Sequence, residues 1–244
     1  MDSDPITVER SDSHLIIRLN RPDQFNALSQ EMILALSDVF KSLDSEPNLR
    51  AIILTSTGDQ DFCDGSDTTE LAGPGERELS ERSQDLFSQI ENCHMPVIAA
   101  VNGIAAGGGC ELALACHLRI ASANARFSLP EARSGIVGGY EGALEMLNGK
   151  VVSAEEALRF GLINHVVPAA ELIAQAEDLA REIAQLAPLA IRACLEAVTQ
   201  GNQLPLAEGL AVEAKLFASL FDTDDVREGT SAFLEKRSPV FKGT

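Results

Sequence analysis

Apolar residues in the first two-thirds of the chain fall into short dense runs separated by polar stretches of helical length. Two such runs, residues 6–9 and 15–19, read as strands, and the second feeds the turn NRPDQFNALS and a helix from Ser29 to about residue 44. RAIILT at 50–55 is an apolar strand, GDQDFCDGSD a loop, residues 76–92 a polar helix and 97–101 a buried strand. A helix, ELALAC, follows a run of three glycines. HLRIAS and ARFSL read as further short strands, SAEEALRF as a helix stopped by Gly161, and GLINHVVP as a last short strand. Strands that alternate with helices predict a parallel sheet with crossover connections, an α/β fold.

The pattern changes at Ala169. Amphipathic helical runs cover 171–186, 189–199, 206–221 and 225–236, broken at Pro188, at 201–205 and at the DTDD turn. The expected division is a core carrying the site at 1–187 and a helical region at 188–244. The wide apolar stripe of VEAKLFASLF suits either packing on the core or a subunit interface.

Charge narrows the partners. With 37 acidic against 19 basic residues the net charge is −18, and no Lys/Arg cluster offers a surface for nucleic acid or anionic membrane. A polyanionic ligand would need a few local cations. No uninterrupted apolar stretch is long enough to span a bilayer, and the acidic start MDSDP lacks a leader's basic-then-apolar order, so a cytoplasmic protein is expected. The five cysteines, Cys63, Cys93, Cys110, Cys116 and Cys194, are unpaired in spacing and expected to be reduced and mostly buried. Cys110, Cys116 and His117 lie across one short helix without a CxxC pair, so no metal site is expected. GxSxG is absent, and none of the four histidines sits near a nucleophile elbow.

Two glutamates twenty positions apart remain: Glu111, closing AAGGGCE, and Glu131, closing FSLPE. A carboxylate in apolar sequence is costly without a role or a partner. Gly107, Gly108 and Gly109 strip side chains from a strand-to-helix turn, where unpaired amides and the helix dipole suit a developing oxyanion. Glu111 is equally consistent with an acid favoured in the first turn of a helix, and Glu131 with a surface acid after a helix-starting proline.

Taken in order, NRPDQFNALS, RAIILTSTGDQDFCDGSD, PVIAAVNGIAAGGGCELALACHLRIAS, ARFSLPE, SAEEALRFGLINHVVP and LFDTDDVREGTSAFLEKRSPVF resemble the crotonase family along nearly the whole chain, most closely its enoyl-CoA hydratases. The resemblance implies a spiral of ββα units with a C-terminal helical region that builds trimers or dimers of trimers. It implies an acyl-CoA thioester as substrate, with CoA part of that substrate and no separate cofactor. It makes the backbone N–H groups of Ser66 and Gly108 the oxyanion hole and Glu111 and Glu131 the acid/base pair. It sets the CoA portion against the backbone of Asp64, Gly65 and Asp67, with Phe233 and Lys236 near the nucleotide.

Two departures from the family pattern stand out. Asp64 replaces a small apolar residue, placing a negative charge where a phosphate-bearing ligand passes. After Glu131, SGIVGGYEGALEMLNGK omits a couple of helical turns that usually help wall the acyl pocket, leaving Tyr140 or Glu141 as candidates for the vacated space. Three activities therefore stand: hydration of a 2-enoyl-CoA, double-bond isomerisation with Glu131 as the shuttling base, and acyl-CoA binding with little catalysis. A two-carboxylate glycosidase is disfavoured, because one Tyr and no Trp leave little to stack on sugar rings.

Overall fold

A computed structural model describes residues 4–43, 46, 48–71, 76–134 and 148–244. Among them, β1 (Ile6–Arg10), β2 (His14–Leu19), β3 (Ala51–Ser56), β5 (Val97–Val101), β7 (Leu118–Ser122) and β10 (His165–Val167) form one sheet in that order. β1 runs antiparallel to β2, and every later neighbour is parallel. The parallel crossovers expected from the alternating pattern are present.

A second sheet, β4 (Asp61–Cys63), β6 (Ile104–Ala106), β8 (Arg126–Ser128) and β9 (Val152–Ser153), corrects the reading of GDQDFCDGSD as all loop. β4 and β6 are three residues each, too short for periodicity to declare them. Each long strand hands on to a short one: β3 to β4, β5 to β6, β7 to β8. Helices α1 (Gln30–Ser42), α2 (Thr68–Leu71), α3 (Glu76–Glu91), α4 (Gly108–Ala115) and α5 (Ala154–Arg159) close these ββα steps.

The central strands β2, β3 and β5 of the large sheet are buried on both faces, which is why they read as near-continuous apolar runs. On β3, Ile52 and Leu54 enter the main core with Leu36, Phe87 and Phe127, while Ala51 and Ile53 face Leu172, Ala176 and Ala180 of α6 (Leu172–Ala184). Gly103 is required where the two sheets meet, since a Cβ there would lie 1.9 Å from the Gln60 carbonyl oxygen.

α7 (Pro188–Gly201) and α8 (Leu206–Leu220) pack on each other and contribute no buried residue, leaving Leu206, Leu210 and Phe217 exposed. α9 (Asp224–Glu235) is tied to the C-terminal tail by the Asp225 carboxylate, which accepts from the amides of Lys242 and Gly243 at 2.8 and 2.9 Å. No helix among the described residues is long and apolar enough to cross a membrane.

Candidate active site

Two segments of the small sheet end side by side, and each has an amide that meets no acceptor among the described residues. After β4, Leu28 forms a parallel bridge to Ser66: its N–H donates to the Gly65 carbonyl at 2.8 Å, and its carbonyl accepts from Asp67 N–H at 2.9 Å. A parallel bridge takes the groups flanking the bridged residue, so the N–H of Ser66 itself points away from Leu28. After β6, the chain turns through Gly107 into α4, whose first amides have no intrahelical partner. Among the described residues neither Ser66 N–H nor Gly108 N–H donates to a protein acceptor.

Glycine makes the two segments meet. A Cβ on Gly109 would lie 2.0 Å from the Cys63 carbonyl oxygen, so only glycine lets α4 start against β4. A Cβ on Gly108 would stand 3.7 Å from Ser66 N, and one on Gly65 would stand 3.6 Å from Gly108 N. The two amides therefore border one small space.

Both glutamates are anchored next to Gly107, Glu111 through its backbone amide and Glu131 through its carboxylate. Glu111 N–H donates to the Gly107 carbonyl at 3.0 Å as the first bond of α4, and the Glu111 side chain is buried, 6% exposed. Gly107 N–H donates to the Ser128 carbonyl at 2.9 Å, which brings the end of β8 alongside. Three residues on, Glu131 opens a short 3-10 turn and lays its Oε1 2.7 Å from where a Gly107 Cβ would be. Its Oε2 is buried with no hydrogen-bond partner among the described residues, and burial pushes its pKa above the ordinary carboxylate value. Cys110 registers both charges: its thiol is pushed up to about 12 by burial and then by Glu111 and Glu131. It is inert packing rather than a nucleophile.

The Asp64–Asp67 loop divides its duties. Asp64 is exposed, and its carboxyl is raised by desolvation. Asp67 is buried and spoken for: Arg21 Nη2 and Thr69 Oγ1 donate to it at 2.9 and 2.6 Å. Burial raises its pKa, but these bonds outweigh burial and hold it below the ordinary value. Phe233 and Lys236 lie on the last turn of α9 and the cap that follows, Phe233 83% exposed. No hydrogen bond or ion pair of Lys236 reaches the loop among the described residues.

His117 is used structurally, its Nδ1 accepting from Val97 N–H at 2.9 Å. No group of three metal-ligating side chains is assembled among the described residues. The shortened segment, with Tyr140 and Glu141, lies outside the described residues.

Three supports were not assigned from the sequence: the Leu28 bridge, the Arg21–Asp67 ion pair, and Asn26. Asn26 sits at φ 53°, 1% exposed, accepting from Arg21 N–H and donating to the Thr57 and Asp61 carbonyls. The signal was the density of Asn, Arg and Pro in NRPDQFNALS, a turn whose polar side chains have to be satisfied internally.

Two amides left open beside two carboxylates is an arrangement with relatives. The chain matches the family described as enoyl-CoA hydratase/isomerase over residues 9–244. It belongs to that family. The (E)-benzylidenesuccinyl-CoA hydratase of Thauera aromatica is 37% identical, covering 98% of this chain and 99% of that protein. The crotonyl-CoA hydratase of Syntrophomonas wolfei is 36% identical, covering 97% of each. A crystal structure of enoyl-CoA hydratase from Bacillus anthracis superposes with a TM-score of 0.94 at 35% identity, covering 98% of this chain and 100% of that one. The fold is thus the crotonase spiral expected from the sequence. The alignment with the Thauera protein runs over 254 positions against the 244 residues here, so that relative carries residues with no counterpart in this chain.

Proposed function

We propose that this chain is an enoyl-CoA hydratase, adding water syn across the 2,3 double bond of a 2-enoyl-CoA thioester to give a 3-hydroxyacyl-CoA. The observation that carries the reading is that the amides of Gly108 and Ser66 border one space beside Gly107, whose carbonyl takes the Glu111 amide and whose missing side chain leaves room for the Glu131 carboxylate. The thioester oxygen accepts from both amides. They polarise the conjugated double bond and stabilise the enolate, each donor supplying about 2.7–4 kcal/mol.

Glu111 takes a proton from water as the hydroxyl adds at C3, and electrons move onto the thioester oxygen. Glu131 then gives its proton to C2 as the enolate collapses. Burial that favours the neutral form of Glu131 suits a proton donor. One proton gained by Glu111 and one lost by Glu131 balance, and exchange with solvent resets the pair.

CoA lies along the backbone of Asp64, Gly65 and Asp67. Phe233 and Lys236, turned outward on the C-terminal helices, serve the nucleotide end of a site completed by assembly into trimers or dimers of trimers. The apolar, unburied faces of α7 and α8 support such an assembly.

Incubation with crotonyl-CoA, following loss of the conjugated enoyl absorbance, tests the reading. Loss that Glu111→Gln abolishes supports hydration. Conversion of a 3-enoyl-CoA that tolerates Glu111→Gln identifies an isomerase, and tight acyl-CoA binding without turnover of either thioester identifies a binding protein.

A further inference from the structure

A positive charge stands inside the large sheet, at the far end of the helix that carries the site. Arg119 on β7 lies between β5 and β10, where its register partner on β5 is Ala99. Its guanidinium turns back to the C-terminus of α4. Nη1 faces the carbonyls of Ala113, Leu114 and Cys116, with the first two at 3.4 and 3.2 Å. Nε donates to the Leu162 carbonyl at 2.7 Å. The backbone of Arg119 is fixed in turn by Asn164, whose side chain accepts its N–H at 2.8 Å and whose N–H donates to its carbonyl at 2.9 Å. One side chain thus gathers the loose carbonyls at the end of α4 and ties them to the segment between α5 and β10.

α4 is eight residues long, about 12 Å. Its first turn holds the Gly108 amide and Glu111, and its last turn holds the carbonyls that Arg119 collects. A helix this short has no slack: any change in how its last turn is held displaces or rotates its first. The carbonyl end also carries the negative pole of the helix dipole, which opposes an anion formed at the amide end. Neutralising that pole leaves the positive pole uncompensated.

We propose that Arg119 is a positioning residue for the thioester enolate: by binding the C-terminal carbonyls of α4 it fixes the Gly108 amide and Glu111, and strengthens the field the oxyanion meets. This rests on the hydratase reading only for turnover; the effect on a bound enolate is independent of it. A unit charge some 12 Å away, acting through an effective dielectric near 20, alters an anion's stability by about tenfold.

The test uses acetoacetyl-CoA, a 3-oxoacyl thioester whose enolate has its own near-ultraviolet band, at saturation and fixed pH on wild type, Arg119→Met and Arg119→Lys. For the Met variant the enolate-to-keto ratio is expected to fall about tenfold, and kcat for crotonyl-CoA by a similar factor, with KM within about twofold. The Lys variant keeps a charge but not the fork, and is expected between the two. It carries the comparison if the Met variant fails to fold. Folded variants with the wild-type enolate ratio overturn the proposal, as does a kcat loss that tracks only the folded fraction. A wild-type protein that binds the enolate but leaves crotonyl-CoA unhydrated defeats the hydratase reading, and the same variant comparison still decides the role of Arg119.

Discussion

The carboxylate of Glu131 occupies the space that a side chain on Gly107 would need: a Cβ there would meet Oε1 at 2.7 Å. Gly107 also holds φ 51° and ψ −127°, a conformation that L side chains rarely adopt. Gly107→Ala is therefore expected to cost about 1–3 kcal/mol of stability. It is expected to lower kcat by roughly 100-fold, because Glu131 has to move by a fraction of its working distance. Urea unfolding and crotonyl-CoA kinetics on the same preparation measure both. A Gly107→Ala enzyme with wild-type kcat would place the proton donor elsewhere.

Burial of Glu131 has a consequence for stability as well as for chemistry. Its folded-state pKa lies above the ordinary 4.5, so its neutral form is favoured by folding. That contribution is complete below the unfolded value and is lost as pH rises through the folded one. Glu131→Gln, neutral throughout, is expected to melt above wild type at pH 7 to 8 and to lose that advantage near pH 4, while losing activity. Thermal melts across this range settle the sign, and a variant less stable than wild type at every pH contradicts it.

Asp67 works in the opposite sense. Held below the ordinary value of 3.8 because the bonds from Thr69 and Arg21 outweigh its burial, it contributes stability that is present above that value and disappears as pH falls through the folded one. Asp67→Asn is expected to lower the urea midpoint at pH 7 and to approach wild type below pH 3. A difference that grows on acidification would mean the Arg21 pair contributes nothing.

The side chain of Asn26 joins the NRPDQFNALS turn to the strands on either side of the Thr57–Asp61 connection. Asn26→Ala takes this partner from the Arg21 amide and the Thr57 carbonyl, while the Asp61 carbonyl keeps the Ser56 hydroxyl, and is expected to cost roughly 2–4 kcal/mol. The loop bearing Ser66 depends on that turn through Leu28, so KM and kcat should both worsen in the folded variant. Denaturant titration together with steady-state kinetics separates the two effects.

Much of this was legible before any coordinates. The large sheet announced itself because strands buried on both faces are apolar throughout, as in RAIILT and PVIAAV. Helix starts at Ser29 and Ser153 were legible because their hydroxyls accept from Met32 and Glu156 amides. The small sheet was not, since β4 and β6 are shorter than any period. The helix after the glycines begins at Gly108 rather than at Glu111, because glycine carries no helical signal of its own. At the site, the two glutamates and three glycines stood out as costly residue choices. Leu28 and Asn26 did not, because one is an ordinary apolar residue and the other an ordinary turn residue until the bridge and the turn close around them. Arg119 was visible as a charge inside an apolar strand, LRIAS, but its acceptors come from the end of α4 and from Leu162, which no local pattern connects.

The most direct measurement is the steady-state hydration of crotonyl-CoA by wild type, Glu111→Gln and Glu131→Gln, with the 3-hydroxybutyryl-CoA product identified. Wild type is expected to form that product, and each Gln variant to lose at least about 100-fold in kcat with KM changed by no more than a few fold, because each carboxylate acts on the transition state. Undiminished hydration by Glu111→Gln, or no hydration by wild type, would contradict the assignment of Glu111 and Glu131 as the acid/base pair.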